Sequence, residues 1–329
     1  MLYRDLSGLG IIFLLLKKLM KSKNTLKKVV DKIVENILFG TAILSASFIV
    51  LIVIVIFERG ITPFISDNDG LGQVNLLRFL TGIVYLDGPT FLSNAYGIGY
   101  LIISTLYNAF LALLIAAPIA TLTALFIAKI APRWLGNLLR TIIEILAAIP
   151  SIVYGLFGAG FILNVVYNLS VSFGVQSAAG FSVLSTVIVL AIMIIPTMTV
   201  IAEVAIRSVD KSLIQGSLAL GATQTQTQFK VVLAAAKSGI FTAAILGVGR
   251  ALGEATAVAL VAGSRRSGIT FNLFDTTATL TSTMLLGMKE TVGLDYTIRF
   301  SIGLVLMVII LLTNLTLNFI KRKVGRMYA

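Results

Sequence analysis

Residues 100–128 form a run of 29 positions without one charged side chain. A helix rises about 1.5 Å per residue, so about 20 apolar residues cross the hydrocarbon core of a bilayer. This run has length to spare. Residues 38–57 make a second uncharged run, of 20. The whole chain is 57% hydrophobic and only 12% charged, about half the charged share of a soluble domain. These runs fix the class as an all-α, polytopic membrane protein, whose helices satisfy their own backbone groups in lipid.

Reading on from the two clear runs gives six transmembrane helices. The first covers residues 38–57, after a basic tail at 1–37 that carries an apolar run too short to span (6–16). That tail reads as lying on the membrane surface, and it has neither the basic start nor the cleavage site of a signal peptide. An outer loop, 58–99, follows. The second span is 100–128, with Pro118 as a kink. The third is about 141–166, with Glu144 near its start and Pro150 inside it. The fourth is 181–202, with Pro196. A polar elbow at 203–239 leads to the fifth span, 240–262, and a second outer loop at 263–300. The sixth span is 301–320, and 321–329 is a closing tail. Residues 100–320 thus make one transmembrane domain.

Net charge is +12, with 26 Lys and Arg. On a soluble chain that would hint at nucleic acid. With the N-terminus inside, however, inner segments hold 19 of the 26 basic residues, outer segments hold 6, and Arg250 lies in the membrane. That asymmetry places both termini and the elbow in the cytoplasm. It accounts for the charge through the lipid bilayer and needs no nucleic-acid partner.

The chain has no Cys and no His. Thiolate and imidazole metal sites are excluded, as are Ser-His-Asp and Cys-His nucleophiles. No metal site and no cofactor of its own are expected. A membrane enzyme would have to rest on Glu, Lys or Tyr alone.

The elbow carries helix punctuation. Asp210 is placed to cap a helix over 211–220, and Gly221 sits where a left-handed terminator belongs. Thr223 with Gln226 fits a capping box for a second helix, about 224–236. On the first helix Leu213, Gly216, Ser217 and Leu220 share a face at spacings of three and four. The small residues would let another protein approach the backbone, as in a helix-in-groove contact. The same pattern also serves a loop helix packed on its own bundle.

The fifth span holds Arg250 and Glu254 near its middle. Four positions apart on a helix, they are expected to face the same way. A central Arg costs roughly 2.5–3.5 kcal/mol to insert, so it must face protein or water. Gly247, Gly249, Ala251, Gly253, Ala255 and Ala257 keep this helix thin, and Gly249-xxx-Gly253 permits close packing. Two readings fit: an internal ion pair, or an anion path. In the second, Arg offers a planar fork of donors to an oxyanion. Glu254 would then accept from an anion that still carries a proton. Pro150 and Ser151 suit either a pore-lining break or a structural kink. The prolines of spans two, three and four together favour a water-accessible path.

Three stretches resemble a known family. GSLALGATQTQTQFKVVL (216–233) resembles the cytoplasmic "EAA" loop of ABC importer permeases, which docks on the ATPase subunit. The family's Glu is Gln215 here, and its prolines are Asp210 and Ala234. GVGRALGEATAV (247–258) and EILAAIPSIVYGLFG (144–158) closely resemble phosphate ABC transporter permeases of the PstC type. FLTG (79–82) and YGIGYLIISTL (96–106) extend the likeness. The resemblance implies a type I ABC importer permease (MetI-like) fold. It assigns Arg250, Glu254, Pro150 and Ser151 to substrate translocation. It assigns Gln215, Gly216, Ser217, Leu220, Gly221, Ala222 and Thr223 to ATPase coupling. It also implies a PstA-like partner permease, a PstB-like ATPase dimer that binds the ATP, and a PstS-like phosphate-binding protein. The implied substrate is inorganic phosphate. Permeases for sulfate or molybdate, or an ion-gradient-driven transporter, are the rival readings.

Overall fold

The computed structural model describes the backbone of residues 6–86 and 96–326, with side chains described over 30–86 and 96–323. Parts of the sequence-read tails (1–5, 327–329) and of the outer loop (87–95, with Pro89) lie outside the described residues. Among the described residues the chain is helical, and its only β-pairing is isolated bridges.

Among the described residues, six helical stretches are long and apolar enough to span: Val30–Ile65, Gly99–Ile130, Ser151–Ser172, Val183–Arg207, Gln224–Gly253 and Gly293–Lys323. The chain divides into two compact units, Met1–Ile56 and Phe57–Ala329. Helix α1 (Leu6–Ile65) is continuous, so the first span and the tail before it are one helix. Within the first unit its apolar side chains, such as Leu38, Phe48 and Ile52, are exposed. An apolar helix exposed all round belongs in lipid or against another membrane chain.

In the second unit, α7 (Val183–Arg207) is the central element. α3 (Gly99–Leu125) lies along it through Ala112, Ala116, Ala120 and Ala124, all buried. Alanine every fourth residue makes a flat stripe on which two helices approach closely, the usual solution where water supplies no hydrophobic drive. α10 (Leu233–Gly253) packs on the same core, with Gly247 against Met198. Twenty-five residues make α7 about 38 Å long. Its first turns receive the backbone of the 261–275 segment: Val183 N–H donates to Asp275 O at 2.9 Å and Leu184 N–H to Leu273 O at 2.8 Å. Its last turn meets the 126–130 turn, where Arg207, paired with nearly buried Glu203 at 2.6 Å, reaches Ile127 O. The 263–279 segment and the 208–227 turn therefore lie at opposite ends of the bundle.

A second core caps the first of those ends. It joins Phe79 on α2 (Leu76–Thr81), Tyr96, Tyr100, Leu280 and Ile298. Gly82 and Gly97 touch backbone to backbone there: a Cβ on Gly97 would sit 2.6 Å from Gly82.

The third span begins later than the sequence suggests. Residues 133–148 form a separate amphipathic helix, α4 (Arg133–Ala148), with Arg140 and Glu144 paired at 2.9 Å on its exposed side. The Glu144 hydrogen bond raises the Arg140 pKa. The spanning stretch starts only at Ser151, as α5 (Ser151–Phe157) and α6 (Leu163–Ser172), joined by a π turn. Proline is the reason. It disfavours helical backbone in the residue before it, and Ile149 is extended at ψ 129°.

Candidate functional site

The break at Pro150 sets one wall of the site. A helix passing through it would bond the residue-150 N–H to the Leu146 carbonyl, and proline has no such N–H. The Tyr154 hydroxyl donates to Leu146 O at 2.7 Å instead, and the Ile149 N–H reaches the same oxygen at 3.2 Å. The bend is thus closed by a side chain one turn into α5. Ser151, half-buried, is the first residue of that helix. Next along, Gly155 lies against Ala257 Cα, where a Cβ would come within 2.8 Å. That contact seats α5 on α11 (Thr256–Ala259).

The sequence placed Arg250 and Glu254 on one helix face, and the structure corrects this. α10 ends at Gly253, and Glu254 is extended at φ −76°, ψ 119°. Two glycines in five residues, Gly249 and Gly253, lower the cost of ending a helix there. The two charges therefore flank a helix end, and Arg250 lies level with Thr197, near the middle of α7. They do not bond each other, and each is held by a different neighbour. Arg250 Nη1 donates to Thr197 Oγ1 at 2.8 Å, beside the buried Pro196 of α7. The Glu254 carboxylate accepts the Ala257 N–H at 3.0 Å, capping α11. Its backbone oxygen accepts the Thr281 hydroxyl at 2.7 Å, from α12 (Leu280–Leu285).

Chemically this is a split site. Arg250 uses one of its five N–H donors on Thr197, so its fork retains capacity for an oxyanion. Glu254 uses one carboxylate oxygen on Ala257, leaving the other to accept. Both side chains are half-buried, and Gly249 and Gly253 have nothing within 4 Å of where a Cβ would stand. The open side of α10 carries the charges. Pro118, by contrast, faces outward on α3, away from the core alanines.

At the opposite end, the elbow has the punctuation its residues dictate. Asp210 accepts the Ser212 N–H at 2.9 Å at the start of α8 (Lys211–Ala219). That hydrogen bond holds the Asp210 carboxyl below the usual carboxylate range. Gly221 is left-handed at φ 85°, and Thr223 and Gln226 form a capping box for α9 (Gln224–Gln226). From there a continuous helical stretch runs to Gly253, so the elbow's second helix and the fifth span are one lever. Leu213 and Leu220 are exposed, Leu220 by 90%. Gln215, Gly216 and Thr223 are exposed and Ala222 is half-buried. Ser217 departs from this face: its hydroxyl bonds Thr227 at 2.9 Å and ties α8 to the following turn.

Tyr154, Thr197 and Thr281 were not singled out by sequence. Tyr154 had a readable signal, since it lies four residues past a helix-breaking proline. Thr197 and Thr281 had none, because their partners are 53 and 27 residues away.

Residues 120–326 match the family described as binding-protein-dependent transport system inner membrane component. A probable ABC transporter permease protein, YqgH of Bacillus subtilis (strain 168), is 37% identical over 292 residues, covering 88% of this chain and 90% of the relative. The phosphate transport system permease protein PstC of Pasteurella multocida (strain Pm70) is 34% identical over 252 residues, covering 71% of this chain and 78% of the relative. Among solved structures, a bacterial alginate ABC transporter bound to its periplasmic protein aligns with a TM-score of 0.61. That alignment covers 89% of this chain and 95% of the other at 17% identity, a likeness of fold. The chain belongs to the binding-protein-dependent transport system inner membrane components, and it is a permease subunit of an ABC importer.

Proposed function

We propose that the chain is the PstC-like permease of an ATP-driven importer of inorganic phosphate. One observation carries this: Arg250 and Glu254 flank a helix end, each tethered to a different neighbour and each with bonding capacity left. Hydrogen phosphate is both an anion and a hydrogen-bond donor. It satisfies a guanidinium and a carboxylate together, whereas sulfate has no proton to offer Glu254. The PstC relatives support the same substrate.

In this reading Arg250, Glu254, Pro150 and Ser151 line half of the path, and a PstA-like permease supplies the other half. A PstB-like ATPase dimer binds ATP and receives α8, with Leu220 as the exposed knob. A PstS-like binding protein delivers phosphate to the opposite end. Both termini lie in the cytoplasm. ATP binding would move the α8–α9 elbow, and the helical lever from Gln224 to Gly253 would carry that movement to Arg250. Each ligand then favours one of two states.

The test is uptake by proteoliposomes holding the whole complex. Phosphate should enter only with ATP, and excess sulfate or molybdate should not compete. Competition by either would move the chain to another oxyanion. Uptake driven by an ion gradient without ATP would remove the ATPase from the account.

A further inference from the structure

A threonine inside a helix commonly turns its hydroxyl back to the carbonyl four residues earlier. Thr105, Thr186, Thr199 and Thr242 all do so, to Leu101, Ser182, Ile195 and Ser238. Thr197 does not. Its Oγ1 accepts the Arg250 Nη1–H at 2.8 Å, its one hydrogen bond among the described residues. A hydroxyl has one proton to give as well as lone pairs to receive. Accepting from a cation turns that proton away from the guanidinium. Thr197 therefore keeps a donor beside the Arg250 fork. We propose that Thr197 is a direct contact of the transported oxyanion: its hydroxyl holds Arg250 and donates its own proton to the same ligand. The proposal rests on the reading above that Arg250 and Glu254 line the path, and it adds a third group to them.

Packing fixes the contact. Gly247 lies against Met198, where a Cβ would come within 2.6 Å of the methionine sulfur. That close approach brings Thr197, the neighbour of Met198, opposite Arg250, about one turn beyond Gly247. Thr197, Val200 and Val204 share a face of α7 at spacings of three and four, and none of them is buried. On α10 the exposed Leu246 and Gly253 share the Arg250 face at spacings of four and three. The Arg250–Thr197 bond thus joins two open helix faces, at the rim of the core.

The chemistry suits one kind of ligand. A guanidinium and a hydroxyl side by side donate to bare oxygens, and Glu254 accepts from an oxygen that bears a proton. Monohydrogen phosphate presents both on one centre. Thr281 has no such part, because its proton is already given to the Glu254 carbonyl.

The experiment uses the whole complex in proteoliposomes with saturating phosphate-loaded binding protein, and reads phosphate imported per ATP hydrolysed. Thr197→Val keeps the branched shape and removes the hydroxyl, so the ratio should fall about tenfold or more. Thr197→Ser keeps the hydroxyl and should stay within about twofold of the unaltered complex. Thr199→Val, whose hydroxyl is spent on Ile195 O, should leave the ratio unaltered. Direct contact is read with Thr197→Cys, the only thiol in the chain. A small thiosulfonate reagent should modify it, and phosphate should slow that modification where chloride of equal ionic strength does not. If Thr197→Val imports normally while Arg250→Gln is at background, the proposal falls and the site reading stands. If Arg250→Gln imports normally, both fall. Equal losses in Thr197→Val and Thr197→Ser would make the residue a matter of shape and refute the proposal. Modification that phosphate fails to slow, or no modification at all, would refute the contact.

Discussion

A proline between two helices leaves the carbonyl four residues before it without its helical partner. In this chain the carbonyl is Leu146 O, and the Tyr154 hydroxyl takes it up. Tyr154→Phe should therefore lower the thermal unfolding midpoint of the purified complex. The Ile149 N–H still reaches the same oxygen, so the loss should be about 1 kcal/mol and not the full cost of an orphaned group. An unchanged midpoint would mean that water already serves that carbonyl. Glu254→Gln makes a cleaner functional test than most carboxylate changes. Glutamine keeps an oxygen to accept the Ala257 N–H, so the cap on α11 survives while the charge goes. Transport should drop to background with assembly intact, and normal uptake would make Glu254 a capping residue only. The residue types at this site were legible in the sequence, but their geometry was not. Helical spacing set Arg250 and Glu254 side by side, and Gly253 ends the helix between them. Propensity shows that a glycine lowers the cost of a break; only tertiary contacts such as Gly155 on Ala257 decide that the break occurs.

At the scale of elements, the elbow was the most legible part. Its caps are local, made by Asp210, Gly221, Thr223 and Gln226 within a few residues of their partners. Gly221 turns the chain at φ 85°, and proline is fixed near about −65°. Gly221→Pro should abolish uptake and the binding-protein stimulation of ATP hydrolysis, both measured on the reconstituted complex. Intact uptake would remove α8 from the coupling path. Asp210 gives a pH signature. Its folded pKa lies below the ordinary value because it accepts the Ser212 N–H. Its contribution to the α8 end is present above the unfolded carboxylate pKa, about 3.9, and is lost as pH falls through the folded value. Hydrogen exchange of α8 amides should accelerate in that acidic window beyond the intrinsic pH trend, and Asp210→Asn should abolish this component. Element boundaries were read less well where charge and proline compete with hydropathy. Residues 141–148 look like membrane by composition, yet they belong to α4, because the Arg133–Ala148 helix has two faces and Pro150 closes it.

For the whole molecule, six apolar stretches required six helices, and the count was available from runs of uncharged residues. Which helix sits at the centre was not. α7 is no more apolar than α3, and its place follows from which partners its two sides meet. The topology makes a direct prediction. The natural chain has no cysteine, so an introduced one is the only thiol in the chain. Leu220→Cys should be protected from a membrane-impermeant maleimide in intact cells, and Arg266→Cys should react. The reverse pattern would invert the orientation argued from basic residues.

At the centre of the account is an anion handed past a guanidinium at a broken helix, in steps driven by ATP hydrolysed on partner subunits. ATP-dependent phosphate uptake should be measured for the complex carrying Arg250→Gln beside the unaltered complex, with ATP hydrolysis followed in the same vesicles. The account predicts uptake at background while the complex still assembles and hydrolyses ATP. Uptake at the unaltered rate would contradict it.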